Sequence, residues 1–329
     1  MSDLIFSLAR LYAQLVVLVG LGIVLGRYLP KQVPHSLGKF LFWFGVPLSI
    51  FGFMRQADLS ASVWLAPVVA WAALASGAGL TWLWIHLQHR RGGDRFTPRN
   101  NPSKGSFMLA AMVGNTGYLG YPVALALVGP QYFSWAIFYD TLGSTLGAYV
   151  VGVLLAARFG MAQQGRWQLA IALFKNPALW GFTLGILCRN VTFVPLVERG
   201  LLGGAWTMLV TALLLIGMRL SQLDSLKDLR QASIPLCIKM LMIPLVFGVG
   251  LRLLGVTGLP HLAIVLQMAM PPAFATLVIA EAYELDRQLT VTCLAVGTVG
   301  LLLTLPVWVV LFAPEGATFG LGNLWVDVG

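Results

Sequence analysis

The chain has 329 residues, of which 58% are hydrophobic and only 10% charged, and its mean hydropathy is +0.83. A soluble domain is usually about 45–50% apolar and about 25% charged, so this composition excludes a water-soluble fold and indicates a polytopic membrane protein. The net charge of +9 would raise nucleic acid as a partner in a soluble protein. Here the basic residues fall between apolar runs, where they set topology and meet anionic lipid headgroups, and no nucleic-acid partner is expected.

Ten apolar segments follow in chain order, near residues 4–27, 36–54, 63–87, 105–128, 132–157, 170–189, 201–220, 232–254, 259–281 and 288–312. Each is bounded by charge, Pro or Gly, and roughly 20 apolar residues suffice for one crossing. The start, MSDLIFSLAR, lacks a basic region ahead of its apolar run, so no cleaved signal peptide is expected. Two links are longer than the rest: HLQHRRGGDRFTPRNNPSK at 86–104, and RFGMAQQGRW between the fifth and sixth segments.

Lys and Arg orient the chain. With the N-terminus outside, the inner side holds Arg27, Lys31, Lys39, Arg90, Arg91, Arg95, Arg99, Lys104, Arg158, Arg166, Lys175, Arg219, Lys227, Arg230 and Arg287, against Arg10, Arg55, Arg189, Arg199 and Arg252 outside. Fifteen against five places both termini externally, in an inner or plasma membrane. The scattered Cys188, Cys237 and Cys293 fit packing rather than a metal or redox pattern.

Five segments precede a linker at 158–169 and five follow it. The expected division is therefore a first repeat at 1–157, the linker on the cytoplasmic side, a second repeat at 170–312 and a short external tail at 313–329. Because five is odd, the halves must cross the membrane in opposite senses. Sequence echoes agree with an inverted repeat. Gly22/Gly26 and Gly181/Gly185 open the halves, Gly38/Gly52 and Gly203/Gly217 follow with Met54 and Met218 after them, and proline interrupts the fourth segment of each half. The expected fold is all-α, with ten transmembrane helices in a 5+5 inverted repeat.

The two interrupted segments carry the functional signal. MVGNTGYLGYPVALALVG, at 112–129, holds Gly114, Asn115, Thr116, Gly117, Gly120 and Pro122 within nine positions. Glycine lowers helix propensity and proline removes an amide donor, so this helix should unwind, and a break in lipid must face protein or a wet cavity. QMAMPPAFATLVIAEAYELD, at 267–286, carries Pro271 and Pro272, which free carbonyls one turn earlier near Gln267 and Met268. Helices broken at matching places in two halves point to a solute site where their half-helix ends meet.

These stretches resemble the auxin efflux carrier family, which includes bacterial malate and malonate permeases and plant auxin exporters. The resemblance rests on GNTGYLGYPVALALVG (114–129), KNPALWGFTLGIL (175–187), MPPAFATLVIAEAYELD (270–286), the proline in GVPLSIFGFM (45–54) and Lys239 ahead of Pro244. It implies crossing fourth and ninth helices, elevator-type alternating access, an organic anion as substrate and a homodimer. Asn115 and Pro122 match the fourth-helix crossover, and Pro271 or Pro272 the ninth. The long hydrophilic loop of the plant exporters is missing, which favours a bacterial-type permease.

The expected site is therefore Asn115 and Thr116 as substrate ligands, with Gly117, Gly120, Pro122, Gln267, Pro271 and Pro272 shaping the crossing. Charges inside apolar runs are functional candidates by default. Asp140 either binds a coupling proton or Na+ or cross-links helices. Lys239 either attracts a carboxylate or snorkels to the surface, and Arg219 reads as a topological charge. Glu281, Glu284 and Asp286 read as a solvated rim. No cofactor or metal site is expected beyond a coupling H+ or Na+, and no Walker sequence or catalytic constellation is present to suggest ATP hydrolysis or an intramembrane enzyme. The other readings are a sodium-coupled bile-acid-type carrier, or a membrane sensor or scaffold.

Overall fold

The computed structural model describes residues 2–55, 57, 59, 61–90, 96–161, 171, 174–221 and 228–314. Residues 162–169 of the expected linker and 315–329 of the expected tail lie outside them, as do Arg91, Arg95, Arg166 and Lys227 from the inner-side charges. Among the described residues there is no strand. The chain runs through α1 (Ser2–Tyr28), α2 (Gln32–Arg55), α3 (Ser62–Arg90), α4 (Asn101–Met112), α5 (Gly120–Phe159) and α6 (Pro177–Leu187). It continues through α7 (Pro195–Ser221), α8 (Leu229–Leu253), α9 (Gly258–Met268), α10 (Phe274–Ala282) and α11 (Arg287–Phe312).

Among the described residues six helices are long and apolar enough to cross a membrane: α2, α3, α5, α7, α8 and α11. The end of α1 from Val16, α6 and α9 are shorter apolar helices. The chain is a helical membrane protein, and its helices differ from a plain series of spans in two ways. First, α5 has 40 residues, and a straight helix of that length would reach about 60 Å, twice the roughly 30 Å of a hydrocarbon core. It bends at Gly129, whose φ of 74° needs no Cβ, and Pro130 follows without an amide donor. Second, the segments expected at 105–128 and 259–281 are each cut in two. Residues 113–119 separate α4 from α5, and residues 269–273 separate α9 from α10.

The helices pack as two groups. In the first, α1 lies on α7, α2 lies on α6, and α7 also lies on α2. Lipid tails are as apolar as leucine, so such contacts depend on close packing at small residues. A Cβ built on Gly217 would lie 2.8 Å from the Cα of Gly22, and one on Gly181 would lie 2.8 Å from the Cα of Pro47. Gly22, Gly181 and Gly217 are thus points where backbones touch. One end of this group is tied by buried Arg55. Its guanidinium donates to both Glu198 oxygens at 3.1 and 2.9 Å and to the carbonyls of Cys188 and Val191, and it stacks 3.9 Å from the ring centre of Phe193.

In the second group α3 packs on α4 and on the Tyr139–Thr145 turn of α5, α8 packs on α9 and α11, and α9 packs on α5. This group contains both broken segments. Its floor at one end is fixed by Asp286, which accepts from Ser103 Oγ at 2.5 Å and caps α11 through the amide of Leu289 at 3.0 Å.

Candidate functional site

Unwinding at 113–119 follows from three glycines (Gly114, Gly117 and Gly120), an Asn and a Thr within seven positions, and at 269–273 from two adjacent prolines. The two breaks meet and satisfy each other's backbone. The amide of Asn115 donates to the Pro271 carbonyl at 2.7 Å, and the amide of Ala273 donates to the Val113 carbonyl at 2.9 Å. These bonds flank an antiparallel bridge between Gly114 and Pro272. The carbonyl of Asn115 then accepts from Leu119 and Gly120 at 3.2 and 3.0 Å and closes the first turn of α5. Polar backbone in the middle of an apolar chain is tolerated here because it is paired within protein.

Lys239 completes this accounting. Pro272 cannot donate to the Met268 carbonyl four residues earlier, and the Lys239 ammonium does so instead, at 2.9 Å. Lys239 is 2% exposed, so the snorkelling expectation is corrected: the side chain turns inward because a vacant carbonyl lies within its reach. It does not line the cavity described below and holds the crossing from behind.

Asp140 lies on the opposite flank. Thr116 Oγ1 donates to its Oδ1, and Tyr121 donates its hydroxyl to Oδ2 at 2.7 Å. The carboxylate is buried with no ion pair among the described residues. Asp140 and Lys239 each sit in a π-helical turn, Tyr139–Thr145 and Ile238–Met242. Such turns are rare and frequent at functional sites.

A cavity of ≈ 500 Å³ lies between the two helix groups, within the size range of small-molecule sites. One wall is His35, Gly38, Lys39, Phe42 and Val46 of α2, Asn176 and Ala178 at the start of α6, and Arg219 of α7. The other is Val113–Tyr118, then Asp140, Ser144, Thr145, Ala148 and Tyr149 of α5, and Ala273–Ala275 with Val278, Ile279 and Glu281. Exposed His35, Lys39 and Glu281 mark its mouth, and buried Asn115, Thr116 and Asp140 mark its floor. Asn115 is 3% exposed and its Nδ2 has no hydrogen-bond partner. A buried donor left unpaired costs about 1–3 kcal/mol, so this amide is prepared for an acceptor. The N-terminus of α10 reaches the same wall, and its N-cap residue, Ala273, makes no side-chain cap, leaving amide hydrogens and the positive dipole end toward the cavity.

A family described as membrane transport protein matches residues 5–309. The chain belongs to that family. It is the auxin efflux carrier-like family that the motifs resemble. An uncharacterized transporter of Methanothermobacter thermautotrophicus is 30% identical over 298 residues, covering 89% of this chain and 94% of the relative. An uncharacterized transporter of Methanocaldococcus jannaschii is 25% identical over 300 residues, with the same shares covered. The family and these relatives are transporters rather than enzymes.

In this transporter the expected site residues divide. Asn115, Thr116, Gly117 and Asp140 line the cavity together. Gly120, Pro122, Gln267, Pro271 and Pro272 do not; the buried amide of Gln267 lies against Gly120 and has no partner for either polar atom among the described residues. Pro271 and Pro272 form one side of the crossing without facing the space, whereas Pro122 stands in the first turn of α5, beyond the Gly114–Pro272 bridge. Of the acidic rim, Glu281 is exposed, pairs with Arg287 at 2.8 Å and borders the cavity, whereas Asp286 is a helix cap. The sequence reading missed Arg219. Taken as a topological charge at a helix end, it borders the cavity, lies over the Phe274 ring at 4.4 Å from its centre and has no ion pair among the described residues. Its available signal was the last-turn position opposite the MPPAF segment, which only the packing of α7 turns inward.

Proposed function

We propose that this membrane transporter carries a small organic anion, a carboxylate such as malate, malonate or an auxin-like acid, by alternating access of the elevator type. The observation that carries this reading is the pair of crossing backbone breaks at the cavity floor, with the partnerless Asn115 amide beside the open N-terminus of α10. Amide hydrogens and a helix N-terminus favour an acceptor with negative charge. Substrate binding by Asn115 and Thr116 puts the solute on the group that contains both breaks, and the cavity lies along that group's boundary with α2, α6 and α7. Sliding of one group against the other would carry the site from one side to the other.

The expected ten-crossing inverted repeat belongs to the same reading. Counting α4 with the first arm of α5, and α9 with α10, as one crossing each yields five before the linker and five after. Contacts repeat under this pairing. Gly26 of α1 abuts Met218 of α7, and Gly185 of α6 abuts Met54 of α2; a Cβ on either glycine would fall 2.7 Å from the methionine Cα or Cβ. With both termini outside, the cavity mouth at His35, Lys39 and Glu281 faces the cytoplasm.

Coupling to H+ or Na+ is assigned to Asp140, whose hydroxyl partner Thr116 also borders the solute space. Proteoliposome uptake across a carboxylate panel tests the whole reading. Wild-type protein should accumulate one of these anions, and Asn115→Ala should reduce uptake by about tenfold or more, the loss of one charge-assisted hydrogen bond. Normal uptake by Asn115→Ala would remove the site assignment, and dependence of binding on Na+ alone would favour the sodium-coupled carrier.

A further inference from the structure

We infer that Arg219 is the carboxylate anchor of the cavity, held in a receiving orientation by Phe274 and by the missing side chain of Gly38. The inference rests on the reading of the cavity as the solute site and adds the group that selects for charge. Three observations converge on this side chain. Arg219 borders the cavity as a half-buried cation with no ion pair among the described residues. Most buried or half-buried guanidinium groups are paired, as Arg55 is in the same helix group, so the lone one is the exception to be explained.

The orientation is equally specific. The guanidinium carbon of Arg219 lies over the Phe274 ring, 4.4 Å from its centre. A carboxylate is chelated by the in-plane N–H edge, not by the face. The ring holds the guanidinium on one side, and no ion pair among the described residues engages its N–H edge. Phe274 is also the first residue of α10, so an anion on that edge lies next to the helix N-terminus with no side-chain cap at its N-cap residue. On the other side, a Cβ at Gly38 would contact Arg219 Nη2 and lie 3.3 Å from Cζ. The guanidinium occupies the volume a side chain at position 38 would fill.

Arg219 stands on α7 while Asn115 stands at the crossing, so one solute would be gripped from both helix groups. Its carboxylate meets Arg219 and the α10 N-terminus, and its remaining polar atoms meet Asn115. Phe42, Tyr118 and Tyr149 on the walls can cover an apolar body. Phe274 and Gly38 are positioning residues in this scheme, and Arg219 touches substrate.

The test is equilibrium binding to the full-length purified protein, using malonate, malate and indole-3-acetate and, for each, the corresponding amide. Wild type should bind at least one acid and discriminate against its amide. Arg219→Gln should weaken the acid by roughly thirtyfold or more, the usual effect of removing one partner of a desolvated charge pair, and leave the amide nearly unchanged, so that discrimination collapses. Arg219→Lys, which keeps charge without the fork, should fall between. Gly38→Ala displaces only the far end of a flexible side chain and so keeps the fold; it should weaken the acid selectively. Phe274→Leu should do the same, with Phe274→Tyr restoring binding. Undiminished acid binding and discrimination in Arg219→Gln and Gly38→Ala, with wild type binding normally, would overturn the anchor and leave the cavity reading standing. Failure of wild type to bind any acid would overturn the cavity reading and the anchor with it.

Discussion

Gly297, in the middle of α11, is the point where the Pro271–Pro272 segment rests on its neighbour. A Cβ there would lie 2.9 Å from Pro272 Cδ, 3.0 Å from Pro271 Cβ and 2.9 Å from Leu236 Cδ2. Carbon atoms pack best at about 3.5–4.0 Å, so Gly297→Ala must open this contact by about 0.5–1 Å. Proline rings cannot rotate away, and the backbone between them is tied to Asn115 and Val113 by two hydrogen bonds. Overpacking of this kind costs about 1–3 kcal/mol. Gly300 lies one turn further along the same helix with nothing within 4 Å of a built Cβ, so Gly300→Ala should gain the usual helix propensity of up to about 1 kcal/mol. The difference between the two alanines isolates the clash. At about 2–4 °C per kcal/mol for chains of 150–250 residues, Gly297→Ala should unfold several degrees below Gly300→Ala in a detergent thermal-shift series. It should also lose uptake by about tenfold or more, because an ångström of misplacement at a positioned site is expensive. Equal melting temperatures and equal uptake in both variants would refute the claim that the proline crossing is fixed by its packing on α11.

Two further changes address the charges. Asp140→Asn preserves the local network, since its carbonyl accepts from Thr116 and its amide donates to the Tyr121 oxygen once that hydroxyl rotates. The variant should fold and exchange substrate, yet lose accumulation driven by a proton or sodium gradient; retained gradient-driven accumulation would refute coupling at Asp140. Glu198→Gln removes the counter-charge of buried Arg55, whose partner is partly exposed at 31%, so the loss should be about 1–3 kcal/mol, below that of a fully buried pair. Thermal unfolding reads it, and an unchanged midpoint would show the pair to contribute nothing.

Local rules made the helix interruptions legible in the sequence. Two prolines together, or three glycines with Asn and Thr, disfavour a continuous helix, and both breaks lie where these residues stand. Asn115, Thr116 and Asp140 were legible because polar groups in apolar segments are costly. What was not legible depends on partners far along the chain. Lys239 finds Met268 across 29 residues, and Arg219 turns inward because Gly38, on a different helix, makes room for it. The same limit applies to Gln267, whose contact with Gly120 across the crossing joins residues far apart in the chain. The bend of α5, by contrast, was marked locally, since Gly129 and Pro130 stand between the segments expected at 105–128 and 132–157.

The central claim is that a solute occupies the crossing of the two breaks. A structure determined with a saturating carboxylate from the panel tests it most directly. Density should lie in the cavity within hydrogen-bonding reach of Asn115 Nδ2, with the carboxylate on the Arg219 edge. Density for the transported anion at a site that touches neither Asn115 nor the crossing backbone would contradict it.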